Sequence, residues 1–374
     1  MKTAQLMDSI FDLATLYFRR SPTGLLLSAG VTLMLGGPWL AAKLVFRKES
    51  DDGGYIVGEI NTTEAEWWVN AACLGVGALL IAVGLYFAWI TFQEQRRKLV
   101  IALELRGLSQ TADSSIQRAI PSLILGRRES IFIDVRQLVQ GTTAQKQEAV
   151  SAVNLIPIRL KQLKDGRDRD DLSVYAGGLA PVPLLFLTGN LLAAESKVHW
   201  LDWNRKASMW VSPCEGADLT DSLPINYEPT FQDVVLAFSV SYPIERLELT
   251  IAFPGINIIE LKIENPVPGI VVSEVSIQRL MQDFMSCIAT LKYKGTKRIH
   301  LILAAPSILS IRLGSCYAGR NMPELIIYQY QQAQNEDPYP WGIRMPNSET
   351  SQGELVVREK TPNHQITSDL LGAG

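Results

Sequence analysis

Two stretches of this chain carry no charged side chain, and they limit its architecture more than any other feature. Residues 21–42 read "SPTGLLLSAGVTLMLGGPWLAA", and residues 67–93 read "WWVNAACLGVGALLIAVGLYFAWITFQ". A bilayer core of about 30 Å takes about 20 apolar residues as helix. Within hydrocarbon a segment must satisfy its own backbone hydrogen bonds, which leaves helices or closed barrels. Interfacial aromatics stand at Trp39, Trp67, Trp68, Tyr86 and Trp89. Both runs therefore read as transmembrane helices, and the late start of the first, followed by a second, argues against a cleaved leader.

The flanks set an orientation. Arg19 and Arg20 precede the first run, and Arg96, Arg97 and Lys98 follow the second. The connecting "ESDDGGYIVGEINTTEAE" is acidic, although Arg47 and Lys48 weaken the contrast. The positive-inside rule then places both ends in the cytoplasm and the loop outside. Gly30, Gly36, Gly37, Gly75, Gly77 and Gly84 permit close helix contact. Gly37-Pro38 reads as a kink, and Lys43 can snorkel to the interface. Residues 1–20 repeat Leu6, Met7, Ile10, Phe11, Leu13, Tyr17 and Phe18 at helical spacing. Two readings of this amphipathic helix stand: it lies on the inner membrane surface, or it packs on a neighbouring subunit.

Beyond the membrane runs the chain repeats itself. "YAGGLAPVPLLFLTGNLLAA" starts at Tyr175, and "LILAAPSILSIRLGSCYAG" starts at Leu301. Aligning Pro181 with Pro306 sets Ala180 opposite Ala305, Gly189 opposite Gly314 and Trp203 opposite Tyr328. A helical pattern precedes each copy, at residues 143–164 and 272–293. Strand-like runs precede those, "SIFIDV" and "VVLAFSVS", and "ELTIAF" and "NIIELKIE" read as extra strands in the second copy. Alternating strand and helix at this spacing predicts an α/β fold with largely parallel, Rossmann-like sheets, built as two fused half-domains. The expected boundaries are a helical linker over 96–128, a sensor domain over 129–345 (halves at about 129–215 and 230–335), and a polar tail over 346–374 with one strand-like piece, "ELVVRE".

In open α/β sheets, ligands bind beyond the carboxyl ends of the strands. Gly177, Gly178, Ala180 and Pro181 in one half, and Ala305, Pro306 and Ser307 in the other, occupy such turns. Small residues let a ligand approach the backbone, and a helix N-terminus offers free N–H groups to an anion. Tight packing explains the same residues equally well. Tyr175, Trp203, Tyr242 and Tyr328 are candidates for base stacking, with burial in the core as the competing reading. Arg136, Lys206 and Ser241 are candidate polar contacts.

The phrase "IHLILAAPSILSIRLGSCYAGRNMPELIIYQY" resembles the second half of a SAVED domain, a fusion of two CARF-like (CRISPR-associated Rossmann) units, and "LSVYAGGLAPVPLLFLTGNLLAAESKVHWLDW" resembles the first. The likeness covers about residues 126–335. Behind two membrane runs, this order is similar to the two-transmembrane SAVED effectors of bacterial CBASS antiphage defence. The resemblance implies a cyclic di- or trinucleotide ligand, homo-oligomerisation on binding, and disruption of the bacterial inner membrane that ends in abortive infection.

Other classes find less support. A net charge of −3 sets up no basic field for DNA. The 4 cysteines and 3 histidines are scattered without metal-ligand or disulfide spacing, so neither a metal nor a cofactor is expected. No GxxxxGK[ST], HExxH or GxSxG sequence occurs, and no catalytic residue is assigned. Asp134 and Arg136 follow a strand and read as a polar loop or ligand contact rather than an acid–base pair. A membrane-anchored binding module without toxicity and a membrane-anchored Rossmann-like enzyme remain as alternatives to the ligand-gated effector.

Overall fold

The computed structural model describes residues 22–36, 45–49, 55–59, 67–108, 114–164, 166–195, 197–214, 231–269, 273–331 and 337–358. The amphipathic stretch 1–20, Gly37-Pro38, Trp39, Lys43 and residues 359–374 lie outside the described residues. The chain divides into two units, Met1–Arg97 and Lys98–Gly374.

The first unit pairs helix α1 (Pro22–Gly36) with α2 (Trp67–Arg97), and strands β1 (Val45–Glu49) and β2 (Tyr55–Glu59) form an antiparallel pair between them in sequence. That hairpin falls where the sequence suggested only an acidic loop. The helices meet through glycine. A methyl group on Gly30 would lie 2.8 Å from Gly77 O, and one on Gly77 would lie 2.8 Å from Gly30 O. Gly84 seats Leu27, 3.0 Å away on the same test, whereas Gly75 has nothing within 4 Å among the described residues. Gly77 and Gly84 are thus consumed inside the chain's own hairpin, and Gly75 alone of the three faces away. Among the described residues one helix, spanning Ala71–Arg97, is long and apolar enough to cross a bilayer. The 15 residues of α1 reach about 22 Å at about 1.5 Å per residue, so a full first span would need residues beyond Gly36.

The second unit contains two sheets of matching strand order. Sheet one runs β4 (Arg127–Asp134), β3 (Leu99–Arg106), β5 (Leu172–Leu179), β6 (Val198–Trp200), all parallel. Sheet two runs β10 (Asn257–Lys262), β9 (Asp233–Ser239), β11 (Arg298–Ala304), β12 (Glu324–Gln329), also parallel. It then adds antiparallel β13 (Trp341–Arg344) and β14 (Glu354–Val357). Helices α3 (Ile116–Ala119), α4 (Arg136–Val139), α5 (Thr143–Asn154), α6 (Ile156–Lys164) and α7 (Val182–Leu192) belong to half one. Half one also holds a small hairpin, β7 (Asp202–Asn204) with β8 (Met209–Val211). Helices α8 (Arg246–Ala252), α9 (Glu274–Tyr293) and α10 (Ser307–Cys316) belong to half two.

Four expectations need correction. Residues 99–106 are not a helical linker but β3, an inner strand of sheet one. "LVIALELR" is buried on both faces for seven of its eight residues, and such a strand reads as a continuous apolar run with no alternation to betray it. "SIFIDV" is therefore the second strand of its half, the counterpart of β10 rather than of β9. "ELTIAF" is no strand either: residues 246–252 form α8. Sheet two also continues past residue 345, because β14 belongs to it.

The halves share one core. Leu99, Ile101, Leu103 and Leu105 of β3 and Val234, Leu236 and Phe238 of β9 send their side chains into it, with α7 and α10 between them. The aligned glycines meet there. A methyl on Gly189 would fall on the carbonyl of Ile311, and one on Gly314 would fall on the carbonyl of Phe186. Since Phe186 aligns with Ile311, the crossing is reciprocal. The repeated glycine is a packing residue that lets two helix backbones touch. Asn190 reinforces the contact by donating to Tyr317 O at 2.7 Å and Gly314 O at 3.3 Å. Each sheet's outer face holds a smaller core: Val100, Ala102, Tyr175, Leu201 and Trp210 in half one, and Val235, Ala237, Phe253, Ile302 and Tyr328 in half two.

Candidate ligand site at the strand ends

The two strand-to-helix turns are copies down to their hydrogen bonds. Leu179 O accepts the N–H groups of Gly107 (2.7 Å) and Leu108 (3.0 Å), and Ala304 O accepts those of Val240 (2.9 Å) and Ser241 (2.8 Å). Each half thereby brings the exit of its first strand against the entry of its key helix. In half one this closeness accounts for the small residues. A side chain on Gly107 would lie 2.8 Å from Ala180 Cβ; on Gly177, 2.6 Å from Leu201 O; on Gly178, 3.0 Å from Leu105 Cβ. Gly177, Gly178, Ala180 and Pro181 are all buried, so packing alone explains them.

The N-terminus of α7 is also occupied. Val182 N–H donates to Gln329 Oε1 at 3.0 Å, Pro183 has no N–H, and Leu184 N–H donates to Pro181 O at 3.0 Å. Gln329 ends β12 of the other half, so the carboxyl edges of both sheets meet here. Half two is more open. Ala305, Pro306 and Ser307 are half-buried, and Tyr242, next to Ser241, is 59% exposed. Ser241 itself is buried, its N–H spent on Ala304 O. The structure therefore groups Tyr242 with the second turn as an accessible set.

Tyr175 and Tyr328 do not join it. Tyr175 is 6% exposed and stacks on His199 at 4.5 Å, inside the outer core of half one. Burial raises its phenol pKa. Tyr328 is 5% exposed. Its hydroxyl meets His300 Nδ1 at 3.0 Å, and burial pushes its pKa to about 12. The same burial lowers His300 to about 4. The alignment of Trp203 with Tyr328 was two residues out. Trp200 pairs with Ala176, and Ile302, the counterpart of Gly177, pairs with Tyr328. The counterpart of Tyr328 is Leu201, and that of Gln329 is Asp202. Trp203 lies edge-on to Trp210 at 5.4 Å, and Lys206 is exposed in the turn of their hairpin.

Charge at this edge is largely self-compensated. Arg136 binds Asp134 through Nε (2.9 and 3.1 Å) and Nη2 (2.6 Å), and that contact holds the Asp134 carboxyl below its usual range. On β3, Glu104 takes Arg106 Nε at 2.6 Å and Ile116 N–H at 3.0 Å. The sequence reading missed Arg106, Glu104 and Gln329. The first two sat in a strand taken for a helix, and nothing in a lone Gln329 signals a contact across halves. Desolvation raises Asp202 to about 6. Among the described residues no cluster suited to a metal ion occurs.

Comparison with known proteins follows this architecture. Residues 156–345 match the family described as "SMODS-associated and fused to various effectors sensor domain", SAVED. Residues 4–150 match the "SAVED-fused 2TM effector domain". No curated protein matches. Similar solved structures include the Acinetobacter baumannii Cap4 SAVED/CARF-domain receptor with 2′3′3′-cAAA, at 11% identity and a TM-score of 0.44 over 74% of this chain and 58% of that one. The same receptor with 3′3′3′-cAAA gives 11%, 0.43, 74% and 60%. The Moraxella osloensis Cap4 receptor gives 10%, 0.40, 74% and 59%. The chain thus spans less than two thirds of the length of these neighbours. By the family match across half its residues, the chain belongs to the SAVED family, with a SAVED-fused two-transmembrane effector domain on its amino-terminal side.

Proposed function

We propose that this protein is a membrane effector of antiphage defence that senses a cyclic oligonucleotide, assembles, and disrupts the bacterial inner membrane. The observation that carries the reading is the joining, in one chain, of a SAVED sensor and a two-transmembrane effector domain. The ligand lies at the carboxyl edge of the doubled sheets, bridging both halves. Its accessible contacts are Tyr242, Ala305, Pro306 and Ser307, with Arg136 and Lys206 at the rim. The first turn of α10 receives a phosphate, because α7's is closed by Gln329. Both termini are cytoplasmic, and the protein has no catalytic step of its own.

Two spans cannot enclose a water-filled path, so the lesion needs several chains. Gly75 is the glycine of α2 left free for a neighbouring copy. Head-to-tail contacts between sensors grow rings or filaments, and the ligand drives them by binding the assembled state more tightly. The test uses the full chain in lipid nanodiscs with a panel of cyclic di- and trinucleotides, read by calorimetry and by particle size. Ser307→Asp complements the α10 N-terminus yet repels phosphate. We expect it to fold and to lose binding. A folded Ser307→Asp protein that binds like wild type defeats this site, and tight binding without a change in size defeats the assembly.

A further inference from the structure

The C-terminal hairpin belongs to one half of the sensor and is fastened to the other. β13 and β14 extend sheet two, but the end of the turn between them rests on half one. Asn154 of α5 is buried, donates through Nδ2 to Gly353 O at 2.8 Å, and accepts Gly353 N–H on Oδ1 at 2.9 Å. A carboxamide meets both backbone groups of one residue without introducing charge. The fit is close: a methyl on Gly353 would lie 2.7 Å from Leu187 Cδ1 of α7, a side-chain tip.

The rest of the turn makes its hydrogen bonds within itself. Asn347 Oδ1 takes the N–H groups of Glu349 (2.8 Å) and Thr350 (2.9 Å), which closes the turn on itself. A polar cavity of about 370 Å³ separates Gln147 and Ser151 from Thr350 and Gln352. The far end of the hairpin is anchored in half two. The Arg358 guanidinium lies over Phe253 at 4.3 Å, donates to Ala252 O, and reaches Asp337 at 3.5 Å.

We infer that this hairpin is a strap that pre-organises the two halves for their ligand, and that Asn154 is its latch. The inference rests on the proposed ligand bridging both halves. A receptor whose halves are already held in register binds more tightly, because the ordering is not charged to the ligand. Each buried hydrogen bond lost with Asn154 shifts the latched–unlatched balance by about tenfold.

The test uses the full chain in nanodiscs, a glutamyl endopeptidase that cuts after exposed Glu349, and 3′3′3′-cAAA with the wider cyclic nucleotide panel. Asn154→Ala should cleave at Glu349 at least about tenfold faster than wild type and bind the cyclic nucleotide several-fold more weakly. Asn154→Asp, which keeps the acceptor for Gly353 N–H but sets a carboxylate against Gly353 O, should do the same and carries the test if Asn154→Ala fails to fold. Unchanged cleavage in both variants overturns the latch. Faster cleavage with unchanged affinity overturns its role in binding. Failure of the underlying reading looks different: Ser307→Asp would then bind like wild type, while the cleavage comparison still decides the latch.

Discussion

Consider Gly314→Ala at the crossing of α7 and α10. The added Cβ would lie 2.8 Å from the Phe186 carbonyl carbon and 3.0 Å from its Cα, besides overlapping the carbonyl oxygen. Carbon atoms sit at about 3.5–4.0 Å when they merely touch, so the helices must part by roughly 0.7 Å or more. The obstacle is backbone, which no rotamer change relieves. Overpacking of this kind costs about 1–3 kcal/mol and occasionally more, and a crossing at the centre of a shared core belongs at the upper end. The gain in helix propensity returns about 1 kcal/mol. The net loss should be about 2 kcal/mol, or about 4–8 °C in the melting of the sensor at roughly 2–4 °C per kcal/mol. Differential scanning calorimetry of the full chain would measure it. Gly189→Ala should behave alike, since its Cβ would meet Ile311 in the reciprocal position. Helices pushed apart by one methyl admit the second at little extra cost, so the double variant should lose much less than the sum. Single losses below about 1 kcal/mol, or strict additivity, would refute the crossing as drawn.

In the membrane unit, Gly77→Leu should disrupt the α1–α2 hairpin and lower the folded yield, whereas Gly75→Leu should leave it intact and abolish cell depolarisation; detergent-resistant proteolysis and a potential-sensitive dye separate the two. Topology reporters fused between residues 60 and 66 and at the C-terminus should give periplasmic and cytoplasmic signals respectively, and phosphatase activity at the C-terminus would reverse the orientation. Two desolvated groups oppose each other in acid. His300, lowered to about 4, takes up its proton more readily in the unfolded chain, so its contribution is complete above its ordinary range near 6.5 and is lost as pH falls toward 4. Asp202, raised to about 6, holds its proton more tightly when folded, so its contribution is present below about 3.8 and is lost as pH rises to 6. Asp202→Asn should therefore steepen the rise in stability between pH 4 and 6, seen in urea unfolding across that range; an unchanged slope would remove Asp202 from the balance.

The repeat was legible because its residues do local work. Proline opening a helix marks the two strand-to-helix turns, and glycine eight residues later aligns the copies, without any tertiary knowledge; the helix crossing at those glycines and the paired bonds to Leu179 O and Ala304 O come from distant contacts and were not legible. What stayed hidden depends on contacts distant in sequence. β3 is an inner strand, so both faces are apolar and its period vanishes. Gln329 and Asn154 act on backbone 147 and 199 residues away, and no local pattern announces such a role. Tyr175 and Tyr328 are ambiguous for another reason. An aromatic that stacks on a base and one that fills an outer core look the same in a strand until the sheet's cover is known. Here α3 with the β7–β8 hairpin, and α8, supply that cover.

The bond from Val182 N–H of α7 to Gln329 of β12 also gives the sensor a direction. A receptor made of two equal halves would accept a ring in two orientations related by half a turn, a degeneracy of about 0.4 kcal/mol as RT ln 2. Here one half's helix mouth is stoppered by a side chain from the other, while the matching mouth ends in Pro306 and half-buried Ser307. For the ring ligand proposed above, the two mouths would be unlike ends, one carrying an amide plug and the other not. On that reading the two poses of the ring differ in energy, and a pseudo-symmetric cradle becomes a polar one, able to tell a ring with unequal linkages from its own flipped image.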